Sequence, residues 1–111
     1  MDCISTAASV VYAEARGETE VGLRAVAHVL LNRAKEQKKP VCQVAKQRGQ
    51  FAKGLYKPKD PNWQLARKVL LKPGSDITKG ATFFHNHKVR PYWIKKVKVS
   101  FKYNKHTFYR T

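Results

Sequence analysis

The chain has only seven Asp and Glu residues against 23 Lys and Arg, and two of the seven lie in one short stretch, Tyr12-Ala13-Glu14-Ala15-Arg16-Gly17-Glu18. Glycoside cleavage needs a carboxylic acid to protonate the leaving oxygen, and often a second carboxylate. A four-residue spacing would place Glu14 and Glu18 on one helical face, but Gly17 between them is a helix-ending residue. Glu14 follows a run of small and apolar residues, 7–13, so it lies at the rim of a core. A carboxylate there is costly unless it is paired or protonated. The negative end of a helix dipole in the last turn also disfavours charge. Both effects favour the neutral acid, the form in which a general acid works. Glu14 is therefore read as the catalytic acid and Glu18 as a turn residue in a supporting role. The competing reading makes both of them surface acids paired with Arg16 and Arg24.

A second constellation is Phe83-Phe84-His85-Asn86-His87. Two His at i and i+2 can bind a metal only with further ligands, and Cys3, Cys42, His28 and His106 are scattered without motif spacing. No metal and no cofactor is expected. The favoured reading is a polar strand end in a groove, where aromatic faces stack on sugar rings and imidazole or amide groups bind hydroxyl and acetamido groups. Its rival makes Phe83 and Phe84 core residues beside an exposed His pair. In His106-Thr107-Phe108-Tyr109-Arg110, His106 either contacts substrate or anchors a C-terminal hairpin by a hydrogen bond. His28 reads as a satisfied core histidine.

The elements that position these residues follow from periodicity. Residues 2–16 form a first helix, with Ile4, Ala7, Ala8, Val11 and Ala15 at helical spacing. Thr19 caps a second helix running to about Gln37. Val21, Ala25, Val26, Val29, Leu30 and Ala34, widened by Leu23, Ala27 and Leu31, make it a central buried helix. Arg33, Lys35, Lys38 and Lys39 suit its C-terminal end, and Pro40 stops it. A short third helix spans about 41–46, and a Gly-, Pro- and Lys-rich stretch, a surface loop or a short irregular hairpin, runs to Asp60. Asp60-Pro61 opens a further helix through Leu70, ended by Lys72-Pro73-Gly74. Residues 80–86 read as a short strand or extended segment. Residues 96–102 alternate strictly, with Val97, Val99 and Phe101 on one face. Asn104-Lys105 turns into a return strand at 106–110.

The composition bounds the class. The 111 residues make one domain, 1–111, globular by its apolar content, with a net charge of 23 − 7 = +16. Such a charge implies an anionic partner: nucleic acid, a membrane surface or an anionic polymer. No apolar run is long enough to span a membrane. The N-terminal residues lack a signal-peptide pattern. With a cytoplasmic origin Cys3 and Cys42 are expected as free thiols, whereas one disulfide is open to a protein working outside the cytoplasm.

Taken together, these motifs resemble the SleB/CwlJ family of cell-wall hydrolases, which includes spore-cortex-lytic enzymes and phage endolysins. The resemblance rests on residues 12–18, on Gly22 with Ala25-Val26, and on the Leu31-Asn32-Arg33 helix end. Gln50-Phe51, Gly80-Ala81-Thr82-Phe83-Phe84-His85-Asn86 and the closing 106–110 segment follow in order. It implies an α+β, mainly α, lysozyme-like or lytic-transglycosylase-like domain with a small C-terminal β-hairpin region. It also implies cleavage of the β-1,4 bond between N-acetylmuramic acid and N-acetylglucosamine. Glu14 matches the family's catalytic acid. In transglycosylase chemistry one carboxyl group serves as acid and then as base, and the product is a 1,6-anhydro sugar. Gln50, His85 and Asn86 fall on motif positions expected to line the sugar groove, and Phe51, Phe84, His106 and Tyr109 complete the expected substrate-binding set.

The expectation is thus a monomeric peptidoglycan-cleaving endolysin, made in a host cytoplasm without a signal peptide and released to the wall through a holin pore. Its charge would favour anionic envelope polymers. A hydrolytic muramidase is the close alternative, and a secreted bacterial enzyme truncated to its catalytic domain is the alternative to a phage source. From a different class, the alternative is a basic nucleic-acid-binding module using Trp63, Tyr92, Trp93 and Tyr103. No specific nucleic-acid motif supports it.

Overall fold

In the computed structural model of the chain, the described residues are 1–47, 50–86, 98–104 and 106–110. They form α1 (Cys3–Glu14), α2 (Glu20–Gln37), α3 (Val41–Ala45) and α4 (Pro61–Leu71), followed by β1 (Phe83–Asn86), β2 (Lys98–Tyr103) and β3 (His106–Arg110). Several helix boundaries have a local cause, but Thr19 opens α2 without the side-chain cap expected of it, its hydroxyl lying on that of Tyr103 instead. Asp2 caps α1 by accepting from the Ser5 N–H at 2.7 Å. After α1, Gly17 takes the left-handed conformation at φ 81° that glycine adopts without steric cost. Lys38, also left-handed, ends α2 two residues before Pro40. Asp60 caps α4 with Pro61 in its first turn.

The second helix is central, as its wide apolar face predicts. Leu23, Ala25, Val26, Ala27, Val29 and Leu30 are all buried. Val21, assigned to that face from sequence, stays exposed at the first turn. α1 packs against α4, α3 and α2, and α4 and α3 also pack against α2. His28 is buried in this layer, with Nδ1 3.7 Å from Asp76 Oδ1. Asp76 holds the 76–82 loop to α2: it accepts from Asn32 Nδ2 and from the backbone of Thr78 and Gly80. Burial acts to raise its pKa, but the hydrogen bonds from Thr78 and Asn32 outweigh it and hold the carboxyl below its ordinary value.

Trp63 is a core residue. It is 4% exposed, and its Nε1 donates to Ser9 Oγ at 3.0 Å. That removes it from the aromatic surface a nucleic-acid-binding module would need. Tyr103 is half-buried with its hydroxyl on Thr19, and Tyr92 and Trp93 lie outside the described residues. The free-thiol expectation is also corrected. Cys3 and Cys42 form a disulfide that joins the first turn of α1 to α3. Closing a separation of 39 residues is worth about 4 kcal/mol in the chain-entropy picture.

The strands make one antiparallel sheet in the order β1-β3-β2. The C-terminal hairpin expected from sequence is therefore extended by β1, with Phe84 opposite Phe108 and Asn86 opposite His106. The strict alternation read over 96–102 does not hold. A register shift between Val99 and Phe101 turns Val99 away from the core, and it is 55% exposed. A bulge leaves one residue unpaired and breaks the two-residue period. The expected Val97 member lies outside the described residues. Phe108, Phe101 and Phe84 close the sheet onto the helical core.

Candidate active site

Glu14 is the last residue of α1 and is half-buried. Its Oε1 accepts a hydrogen bond from the Ala52 N–H. The segment carrying Ala52 is fastened to α1 three residues on, where the Leu55 N–H donates to the Ser9 carbonyl at 3.0 Å. Gly54 allows this approach, since a Cβ there would stand 3.1 Å from Ser9 Cβ and 3.3 Å from the Val10 nitrogen. The carboxyl is thus oriented by one oxygen, and among the described residues Oε2 has no hydrogen-bond partner. A cavity of about 470 Å³ lies beside this segment, with Phe51, Ala52 and Gly54 among its walls. Glu14 borders it through Ala52 rather than lining it.

Glu18 has a different environment. Its side chain is 5% exposed, and both oxygens are taken. Asn104 Nδ2 donates to Oε2 at 2.9 Å, and His106 Nδ1 lies 3.0 Å from Oε1. A carboxylate only accepts, so this contact places the imidazole proton on Nδ1. The bond spans 88 residues and ties the α1–α2 turn to the β2–β3 hairpin. Neither acid pairs with Arg16 or Arg24, as the surface reading required. Arg24 instead bridges Glu20 at 2.8 Å. Gly22 makes room for the Glu18 side chain, because a Cβ there would sit 2.8 Å from Glu18 Cβ. Gly22→Ala is therefore expected to cost about 1–3 kcal/mol, which thermal unfolding measures. An unchanged melting temperature would mean that the Glu18 side chain has room to spare.

The aromatic residues connect the two acids. Phe51, next to Ala52, lies 6.4 Å from Phe84 between ring centroids. Phe84 stacks on Phe108 at 5.6 Å and meets His106 edge-on at 5.4 Å. Phe51, Phe84, His106 and Glu18 therefore form a continuous wall from Ala52 to the hairpin. His85 and Tyr109 are not part of it. They stack on each other at 5.2 Å, with His85 Nε2 2.6 Å from the Tyr109 hydroxyl, on the sheet face opposite Phe84 and Phe108. Asn86 ends β1 opposite His106 in the register. Gln50 is exposed and accepts from Arg33 Nη1 at 3.2 Å.

Arg33 is the residue that sequence reasoning missed. It reads as one of several cations suited to a helix end, yet it is buried. Its Nε donates to the Thr82 carbonyl at 2.5 Å, and its guanidinium lies 5.0 Å from the Phe51 ring centre and 4.8 Å from that of Phe83. Burial pushes its pKa down, with the charge of Glu36 opposing. The one available signal was the helical spacing from Val26, Val29 and Leu30, which puts residue 33 on the buried face. Tyr12 was also passed over. Its hydroxyl donates to Asp60 Oδ2 at 2.7 Å and fixes the end of α1 to the start of α4.

Among the described residues no group of three or more His, Cys, Asp and Glu side chains is arranged to hold a metal ion. No helix among them is long and apolar enough to cross a membrane. The arrangement offers one half-open carboxyl group beside a cavity, one saturated buried carboxylate, and an aromatic wall between them. That suits proton transfer at a bound polymer.

Comparison with known proteins identifies the family. The sequence model of the Cell Wall Hydrolase family matches residues 17–109. The catalytic domain of the germination-specific lytic transglycosylase SleB from Bacillus anthracis is 28% identical, with a TM-score of 0.79, covering 97% of this chain and 93% of that one. The catalytic domain of the Bacillus cereus SleB protein is also 28% identical, with a TM-score of 0.76 and coverage of 97% and 89%. Comparison with curated proteins gives no match. With a mainly helical, lysozyme-like fold and a family match over most of its length, the chain belongs to the cell wall hydrolase family and is an enzyme that degrades peptidoglycan.

Proposed function

We propose that the enzyme cleaves the β-1,4 bond between N-acetylmuramic acid and N-acetylglucosamine as a lytic transglycosylase, with Glu14 as general acid and then general base. The observation that carries this reading is the contrast between the two acids. Glu18 is buried with both oxygens engaged, whereas Glu14 is oriented by Ala52 and keeps Oε2 without a partner among the described residues. In the first step the Glu14 carboxyl donates its proton to the glycosidic oxygen as the bond to the muramic C1 breaks. The resulting carboxylate then takes the proton of the muramic 6-hydroxyl as that oxygen attacks C1. The proton returns to Glu14, no water is consumed, and the product carries a 1,6-anhydro ring. A single carboxyl group suffices, which agrees with Glu18 being committed to His106 and Asn104. The likeness to the lytic transglycosylase SleB supports the same outcome.

Mass spectrometry of the muropeptides released from purified peptidoglycan tests this. Anhydro ends are the expected product, and reducing ends in their place would make the enzyme a hydrolytic muramidase. The biological setting we propose is a phage endolysin that acts on the wall after holin-dependent release from the host cytoplasm. The charge of +16 supports attraction to anionic envelope polymers.

A further inference from the structure

A second cavity, of about 350 Å³, is walled by Arg33, Glu36, Gln47, Gln50, Thr82 and Phe83 among others. Two of its residues are unusual. Arg33 is 7% exposed, yet among the described residues it forms no salt bridge; it donates to the Thr82 carbonyl and the Gln50 amide oxygen. Thr82 is 5% exposed, and its hydroxyl has no hydrogen-bond partner among the described residues. A buried guanidinium whose nearby counter-charge, the exposed Glu36, makes no contact ion pair with it is costly, and so is a buried hydroxyl left unsatisfied. Both residues wall the one cavity. The rings of Phe51 and Phe83 hold the guanidinium in place, which suits a planar donor fork to a planar acceptor.

We propose that Arg33, Thr82 and Gln50 form a carboxylate-binding subsite for the acid-bearing arm of muramic acid, beside the catalytic cavity. The assignment of peptidoglycan as substrate underlies this proposal. The two cavities adjoin through the chain, since Gln50 is two residues from Ala52 and so at most about 7 Å from it. The acceptor is a carboxylate on the lactyl arm itself or on the peptide that extends it. The acid of this cavity, Glu36, is exposed and forms no ion pair with Arg33. It opposes an anionic ligand and leaves the guanidinium free to receive one.

Direct binding tests the subsite without relying on cleavage. N-acetylmuramic acid and a muramyl dipeptide, each compared with its methyl ester, are titrated into the isotopically labelled protein and followed by NMR. At least one of the acids is expected to bind about ten-fold more tightly than its ester, moving the signals of Gln50, Thr82 and the Arg33 Nε–H. The acid that shows the preference identifies which carboxylate is recognised. Glu36→Gln, on the exposed rim, is expected to tighten acid binding about three-fold and leave ester binding unchanged. Equal affinities for acids and esters would overturn the proposal, as would acid binding that ignores Glu36→Gln. If Arg33→Met fails to fold, Thr82→Val keeps the test open, because it preserves shape and removes the lone hydroxyl. It should weaken the acids and spare the esters. Should the protein bind these acids as expected but leave the glycan uncut, the subsite stands and the catalytic assignment falls.

Discussion

Glu14→Gln is expected to lower the rate of peptidoglycan cleavage by about 10²–10⁴-fold and to leave the melting temperature almost unchanged. The amide keeps an oxygen that can accept from the Ala52 N–H, so the side chain stays oriented at the end of α1. What it loses is the proton the leaving oxygen needs, and the carboxylate that would afterwards take the 6-hydroxyl proton. Turbidity loss of purified walls, read beside thermal unfolding of the same samples, checks both halves. Wild-type rates in the variant would remove Glu14 from the chemistry. A large fall in melting temperature would instead show that its contact with Ala52 is a structural clasp. That segment is also held by the Leu55–Ser9 backbone bond, so the clasp is not needed for the fold.

Most of the helical scaffold was legible in the sequence, because its signals are local. Asp2, Gly17, Pro40 and Asp60-Pro61 mark helix ends by side-chain and backbone chemistry that acts within a few residues. The apolar spacing of α2 announced a central helix, and the structure buries it. The β region was less legible. A bulge at Ser100 spoils the alternation that would have predicted Val99 inward, and β1 joins the hairpin through pairing that no local pattern encodes. The same limit applies to the candidate site. The separation of Glu14 from Glu18 followed from Gly17 alone. The partners that fix the role of each acid are distant in sequence: Ala52 for one, Asn104 and His106 for the other. His85 and Tyr109 were grouped with Phe84 by motif, but the two-residue period of a strand sends them to the other face. Arg33 was hidden because a cation at a helix end has an ordinary explanation, and only the positions of Phe51, Phe83 and Thr82 reveal a different one.

Glu18→Ala is expected to destabilise the protein by about 3 kcal/mol, or roughly 10 °C in melting temperature for a domain of this size. The substitution leaves His106, whose side chain is 12% exposed, and Asn104 without their acceptor. It also cuts the link between the α1–α2 turn and the hairpin. Activity should fall with it, because His106 packs against Phe84, and Phe84 continues the wall toward Phe51 and Ala52. Glu18→Gln separates positioning from chemistry. Its amide retains one carbonyl acceptor for His106 Nδ1, and Asn104 can turn its own amide to match the other half. This variant should recover much of the stability and keep activity within about ten-fold of wild type, a far smaller loss than a general acid shows when its proton is removed. If Glu18→Gln proves fully folded and inactive while Glu14→Gln cleaves normally, the roles of the two acids are exchanged. The saturated hydrogen bonding of Glu18 argues against that exchange. A carboxylate already accepting from Asn104 and His106 would have to break both hydrogen bonds, one of them partly buried, before it could hand a proton to a sugar, whereas Glu14 Oε2 breaks none among the described residues.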